Sequence, residues 1–298
     1  MDGKPNARGH AAETGHCVRL PGWHVLQAEG PEAGVFLQAQ TMNDLRALHD
    51  GHWQWNGCLS AKGRLFALFA LLRVTADRFW LVAPDVPAED LAAHLQHYVF
   101  RSKVRLTAHG EIAAFGRFGS VPQGLPRAQG TAAGIAGSDG PVVLDFSGAT
   151  ARWLVLAGDL EGAVEEESDA QRFMAEDLRH GLPHLGPQHR EAFTPQMLSL
   201  ERIAAFSLKK GCYPGQEIVA RTHFLGQAKR SLTLLRVAGP ATPGQDVSGG
   251  AGGPIVSAAP GPDGSTLALA VLPQPVPADL LVNGAAAEPL ALSEGLAR

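Results

Sequence analysis

Cysteine is scarce in this chain: three residues in 298, at positions 17, 58 and 212, with no CxxC pair. An odd, dispersed set argues against a disulfide framework and against a self-contained zinc or iron–sulfur site. A reducing, cytoplasmic setting fits such usage best. Long apolar runs are also missing. The longest, Leu65 to Leu72, is far too short to cross a membrane. The N-terminal MDGKPNARGHAAETGH has no apolar core of the secretory kind, so no signal peptide is expected, and residues 1–16 read as a flexible tail. Positive charge is not in excess either. The formal net charge is −4, and with no interleaving of basic and aromatic residues no direct nucleic-acid partner is expected. No fixed-period repeat is visible.

What remains is an ordinary globular composition, 45% hydrophobic and 18% charged, long enough for two or three domains. HVLQAEG (24–30) reads as a strand, followed by a short helix through FLQAQ. WQWNGCL (53–59) alternates as a strand would. RLFALFALLRV and FWLVA, separated by TADR, form a hairpin. AEDLAAHLQHYV presents Leu91, Leu95, Tyr98 and Val99 on one helical face. His94 and His97 share that helix, but no third ligand is spaced to join them. The Gly- and Pro-rich residues 119–141 read as a long loop. Two strands follow, VVLDF and RWLVL. Ser168 with Gln171 predicts a capping box for DAQRFMAEDLRH, with Gly181 as its stop. The acidic run from Asp159 to Asp169 reads as a solvated approach to that helix rather than a metal site. After Arg230, strand-like runs alternate with PGQD, GGAGG and PGPDGS turns, the pattern of a small antiparallel β-barrel. The fold class is therefore α+β for residues 17–228 and mostly β for 229–298.

KKGCYPGQE (209–217) carries the chemistry of most interest. Pro214 suits the first position of a helix over GQEIVART. That would put Cys212 just before a helix N-terminus, with Lys209 and Lys210 upstream, a setting that favours a thiolate. Gly211 and Gly215 permit a tight turn, and amides at the helix start could hold a carboxylate. Glu217, taken alone, is a helix-capping residue. On spacing alone, a buried inert cysteine and a reactive one fit equally well. Basic residues gather at Arg101, Lys103 and Arg105, and again at Lys209, Lys210, Arg221, Lys229 and Arg230. These clusters are either solvated charge or an anion-binding face.

KGCYPGQEIVAR resembles the KGCYxGQE signature of YgfZ-type folate-binding proteins, relatives of the aminomethyltransferase of the glycine cleavage system. FLQAQTMNDL (36–45), SAKGRLFA (60–67), RSKVRL (101–106), LRHGLPHL and TPQMLSL resemble further segments of that family, in order, from about Cys17 onward. The resemblance implies a three-domain, ring-like, aminomethyltransferase-like fold ending in a small β-barrel. Two interleaved α+β domains would occupy 17–228, the chain leaving the first at about 40 and returning at about 110, and the barrel would occupy 229–298. It also implies a central pocket for tetrahydrofolate or a polyglutamylated folate, and a role in maintaining iron–sulfur enzymes, including radical enzymes that modify tRNA. The partners implied are those client enzymes or their assembly proteins, with Cys212 as the working thiol. Carried over residue by residue, Lys210, Gly211, Tyr213, Gly215, Gln216 and Glu217 are the folate-site candidates. Asn43 and Asp44 match the other shared motif and either line the pocket or cap a helix. Departures occur at Ala39, Thr41 and Met42, where the pocket edge could be reshaped. Ala67 and Leu68 stand near the place of the paired aspartates of true aminomethyltransferases. Their absence argues against a one-carbon, aminomethyl-type transferase. A non-catalytic docking factor with a structural cysteine is the third possibility.

Overall fold

The computed structural model describes residues 16–121, 123–137, 140–226 and 228–298. The expected N-terminal tail, apart from His16, lies outside the described residues. The chain begins with β1 (Val18–Arg19), β2 (Trp23–Glu29), α1 (Ala33–Gln40), β3 (His52–Leu59), β4 (Leu65–Thr75), β5 (Arg78–Pro84), α2 (Ala88–Gln96) and β6 (Arg105–Ala108). Next come β7 (Ala113–Phe118), β8 (Gly134–Ile135), β9 (Val142–Asp145), β10 (Arg152–Ala157), α3 (Glu167–Arg179) and α4 (Gln216–Leu225). The last strands are β11 (Arg230–Val237), β12 (Asp246–Val247), β13 (Gly253–Pro260), β14 (Thr266–Pro273), β15 (Leu281–Val282) and β16 (Ala285–Leu290).

These strands form three sheets, ordered β1-β7-β10-β9-β8, β3-β4-β5-β2-β6 and β12-β13-β14-β11-β16-β15. The chain leaves the first sheet after Arg19 and returns at Ala113, so the departure falls nearer residue 20 than the expected 40. In the third sheet the edge strands meet. Ser248 and Leu281 exchange main-chain hydrogen bonds of 2.8 and 3.0 Å, which nearly closes a six-stranded barrel. The mixed α+β architecture with a C-terminal barrel is as the sequence predicts.

Alternation explains how the sheets share cores. Along β4, Leu68, Ala70 and Leu72 face the central core, while Ala67, Phe69 and Leu71 face α1 and α2. Both faces are covered, so the strand reads as a continuous apolar run. The central core draws on all three sheets, from Trp53 and Trp55 on β3 through Leu144 on β9 to Leu269 on β14.

A buried polar chain also crosses this junction. Arg152 on β10 donates to Asp177 on α3 at 2.5 Å, and both side chains are fully buried. His184 lies 3.0 Å from Asp177 and 2.9 Å from Asp85 at the end of β5. Its main chain grips the barrel: the His184 amide donates to Ser257 Oγ, which donates back to the His184 carbonyl, both at 2.8 Å. Burial works against the His184 cation, but the Asp85 and Asp177 carboxylates outweigh it and raise its pKa to about 10. Burial likewise opposes ionisation of Asp177, yet Arg152 and His184 hold its carboxyl below the usual range.

The capping box is not formed. The third helix starts at Glu167 with Glu166 at its N-cap, so Ser168 lies inside it. The Ser168 hydroxyl donates to Glu166 and Gln171 donates to Glu167. No side chain caps the helix start, and the acidic residues of the first turn suit its dipole instead. The helix does stop at Gly181, where φ is +72°.

Candidate functional site

The stretch 209–217 is fixed to the fold from beneath. Lys210 is buried, and its ammonium donates to the main-chain carbonyls of Gln38 at 2.6 Å, Asn43 at 3.0 Å and Thr41. These carbonyls lie at the C-terminal end of α1 and in the turn after it, where backbone acceptors lack helical partners and the dipole favours a cation. Burial lowers the Lys210 pKa to about 8, against the opposing pull of Asp44. Tyr213 packs into the central core, its ring 5.1 Å from the Lys210 ammonium, and burial pushes its phenol up to about 12. Gln216 donates to the Lys210 carbonyl at 3.3 Å. Of the nine residues predicted for the site, Lys210, Tyr213 and Gln216 thus brace the loop. Only Gly211, Cys212 and Glu217 are exposed.

Two glycines set the geometry. Gly215 has φ +75°, and a Cβ there would come within 2.5 Å of the Ser60 carbonyl and 2.7 Å of Gly63 Cα. Gly63 has φ +66°, with Ile218 Cβ only 2.7 Å from where its own Cβ would stand. The turn of the β3–β4 hairpin and the signature turn therefore pack glycine on glycine, backbone to backbone. This corrects the expected helix start. Gly215, not Cys212 or Tyr213, is the N-cap, and Pro214 lies outside the helix. Glu217 sits in the first turn, where its charge suits the dipole, but makes no capping hydrogen bond.

Asn43 and Asp44 are placed on the other side of the same junction. The Asn43 side chain donates to the carbonyls of Trp55 at 2.9 Å and Ala204 at 2.7 Å, and its own amide donates to Asn56 Oδ1 at 2.8 Å. It is a brace between loops rather than a helix cap. Asp44 is gripped by Arg46, which, despite the opposing effect of burial, holds its carboxyl down to about 2. Arg46 also reaches the Lys209 carbonyl at 3.4 Å. Nothing in the local sequence signals that Arg46 and Gln38 belong to this junction, since Gln38 ties to Asp44 and Leu45 only through the fold. Thr41 and Met42 are fully buried, and their change from the family pattern alters the interior rather than a pocket edge.

The three cysteines separate by environment. Cys17 and Cys58 are 6% and 1% exposed, while Cys212 is open to solvent. Burial raises the Cys17 thiol and pushes Cys58 up to about 12. The second basic cluster does not form one face. Lys210 is turned inward, and Arg230 donates to the carbonyls of Gly252, Ala251 and Val271 within the barrel. His94 stacks on Phe66 at 3.9 Å. Among the described residues one trio with metal-ligand chemistry comes together, His16, Glu166 and Asp169, and His16 already bonds Asp169 at 3.0 Å. Ala67 and Leu68 are buried apolar side chains, and neither carries a carboxylate.

A buried aromatic cluster lies where the first two sheets meet. Trp53 stacks on Phe146 with centroids 5.4 Å apart, and Trp55 meets both edge-on at 5.3 Å. Asp145 lies beside them, its carboxylate accepting from the amides of Gly130 at 2.7 Å and Ser147 at 2.9 Å. The C-terminal residues pack over this cluster. The Trp55 indole donates to the Leu296 carbonyl at 2.8 Å, and the Arg298 guanidinium stands 5.8 Å from the Trp53 ring centre. VVLDF reads only as a strand, and no local signal marks Asp145 or the C-terminal residues.

The fold defines a class of protein. It matches the crystal structure of the glycine cleavage system aminomethyltransferase T from Bartonella henselae with a TM-score of 0.69, covering 93% of this chain and 84% of that one at 16% identity. Within that class, the sequence is similar to the tRNA-modifying proteins YgfZ. That of Aliivibrio fischeri strain MJ11 is 28% identical over 275 residues, 87% of this chain and 86% of its own length. That of Serratia proteamaculans strain 568 is 29% identical over 249 residues, 78% and 73% respectively. No protein-family model matches the chain. The resemblance to YgfZ proteins, and the aminomethyltransferase-like fold that it implies, are borne out. Among the described residues no helix is long and apolar enough to cross a membrane.

Proposed function

We propose that this protein binds tetrahydrofolate, or a polyglutamylated folate, and supports assembly or repair of iron–sulfur clusters in client enzymes, tRNA-modifying radical enzymes among them. Cys212 is the working thiol. One observation carries this reading: of three cysteines, the signature one is presented to solvent from a loop whose neighbours are tied inward. A structural cysteine would be expected in the interior, as Cys17 and Cys58 are. The names of the YgfZ relatives supply the link to tRNA modification. A single thiolate cannot hold a cluster, so the client supplies the remaining ligands.

The residues of this aromatic cluster fit a pterin in kind. Flat indole and phenyl faces suit a heteroaromatic ring, Trp55 offers an N–H, and the Asp145 carboxylate can accept from an amino-pyrimidinone edge. When bound, tetrahydrofolate supplies a reduced pterin able to carry a one-carbon unit. Trp53, Trp55 and Asp145 would hold and orient it. An aminomethyl-type transferase is disfavoured by apolar Leu68 and Ala67, which leave no charge where that chemistry needs one.

The test is a tryptophan-fluorescence titration of the purified protein with tetrahydrofolate and its polyglutamate, paired with complementation by Cys212→Ser. Saturable binding, with activity lost and folate affinity kept in the variant, is the expected result. Full activity from the variant, or no binding at millimolar ligand, removes the proposal.

A further inference from the structure

We infer that the cavity between the start of β2, the end of β5 and α3 is a binding site for a small organic cation, an ammonium or amidinium group carried on a flat apolar stem. The site uses none of Cys212, Trp53, Trp55 and Asp145, so it stands apart from the folate proposal.

The cavity measures about 190 Å³. Pockets for drug-sized ligands run to roughly 300–1,000 Å³, so the occupant is a single ring or a short chain. Pro21, Trp23, Phe173 and Met174 supply apolar walls. Trp23 and Phe173 are 7% and 1% exposed, and Trp23 is held edge-on against Phe146 and His184, with centroids 5.7 and 5.9 Å away. A second hollow of about 290 Å³ shares Pro21, Glu167 and Ala170 with the first, and Glu165, Glu166 and Arg19 rim it.

Backbone geometry sets the polar wall. Asp85 follows the last residue of β5 and has φ +62°, a left-handed conformation that residues other than glycine adopt rarely and at a cost. Its amide donates to the Gly22 carbonyl at 2.7 Å, just beyond the end of the β2–β5 ladder, and its side chain lines the cavity. Asp85 Oδ2 is buried and lies 2.9 Å from His184 Nδ1, yet it accepts no hydrogen bond among the described residues. The contact is one of charge alone. A carboxylate oxygen in this state accepts an incoming N–H without giving up an existing bond.

The charge around the cavity selects the sign of the ligand. Asp85, Asp177 and Glu167 line it, and Glu165 and Glu166 stand at the adjoining rim. Against these five carboxylates are three cations: His184 in the wall, Arg152 behind Asp177, and Arg19, which already donates to Glu165 at 3.3 Å. His184 lies between Asp177 and Asp85, so its charge is neutralised within the wall. The surplus is negative, and it faces an indole and a phenyl ring, which also favour a cation. A bare metal ion fits less well. Such ions need several converging oxygens, and among the described residues these carboxylates do not converge as a ligand set.

Calorimetric titration of the full-length protein at neutral pH decides the matter, with benzylamine as the probe and benzyl alcohol as its uncharged isostere. Wild type is expected to bind benzylamine saturably and at least tenfold more tightly than benzyl alcohol, the scale of one hydrogen bond to a charged group. Asp85→Asn keeps the side-chain volume and a residue type at home in the left-handed region. It is expected to weaken benzylamine about tenfold and to leave benzyl alcohol unchanged. Equal affinity of wild type for the two probes, or no saturation by benzylamine, overturns the inference and does not depend on any variant folding. Undiminished benzylamine binding by Asp85→Asn overturns it too. Saturating tetrahydrofolate is expected to leave benzylamine affinity unchanged; displacement would make the cavity part of the folate site and overturn its independence. Failure of tetrahydrofolate to bind at all removes the folate proposal and leaves this one standing.

Discussion

Replacing Asp177 by asparagine tests the buried chain that joins the sheets. The change keeps the side-chain volume and removes only the charge. Arg152 would be left in the interior with its guanidinium 4.9 Å from the Phe173 ring and 5.8 Å from that of Phe146, neither of which compensates a lost carboxylate. Its Nε and one terminal nitrogen already lack hydrogen-bond partners among the described residues, so the Asp177 contact and the 3.2 Å bond to the Phe173 carbonyl are what stabilise it. His184 would keep only Asp85, whose side chain is 29% exposed. Breaking one partner of a buried pair costs roughly 3–5 kcal/mol. For a chain of this size that lowers the melting temperature by roughly 10 °C. Urea unfolding followed by tryptophan fluorescence reads the loss as a shift in midpoint. A double replacement, Arg152→Met with Asp177→Leu, removes both charges and is expected to recover at least half of it. A loss below about 1 kcal/mol in Asp177→Asn, or a double variant less stable than the single one, would refute the claim that these charges are mutually dependent.

The pH dependence of stability should carry the same signature. His184 has its pKa raised in the fold, so its contribution is complete below the unfolded value of 6.5 and is lost as pH rises through about 10. His184→Gln should flatten the wild-type decline over that window, and an equal decline in both would count against the ion pairs. Lys210 acts in the opposite sense: its pKa is lowered to about 8, so its burial costs less as pH climbs from there toward 10.5. Lys210→Met leaves three carbonyls without their shared donor and should destabilise by about 2–4 kcal/mol; a variant as stable as wild type by urea unfolding would show that water replaces the ammonium. A thiol reagent added to native protein should titrate Cys212 promptly and Cys17 and Cys58 only after denaturation, whereas rapid reaction of all three would contradict their burial.

The strands were readable because both faces of a strand obey a period of two, and β4 and β5 fall within a residue of the hairpin expected from RLFALFALLRV and FWLVA. Errors arose where a distant element decides the local backbone. Pro214 carries a valid local signal for the first turn of a helix. Gly63, some 150 residues earlier, presses on Gly215 and holds it in a left-handed conformation, so the helix begins later. Lys210 next to Cys212 reads as a neighbouring charge, yet its ammonium lies against carbonyls of residues 38 to 43. In the acidic run, the helix starts one residue before Ser168, at Glu167, with no side-chain cap.

These corrections change what the signature implies. A motif such as KGCYPGQE invites the view that each of its residues touches the ligand. In this fold Lys210, Tyr213, Gly215 and Gln216 hold the loop to α1, to the β3–β4 turn and to the core. Loss of function at any of them is then ambiguous, because displacing the loop displaces Cys212. The ambiguity is resolvable. If the lysine acts only by position, Lys210→Met should depress activity in step with loop order and leave the affinity for tetrahydrofolate unchanged. If it meets the ligand, affinity should fall with the loop still in place. Proteolytic susceptibility of residues 209–215, measured beside a folate titration of the same variant, separates the two. Three carbonyls around one ammonium favour the first outcome.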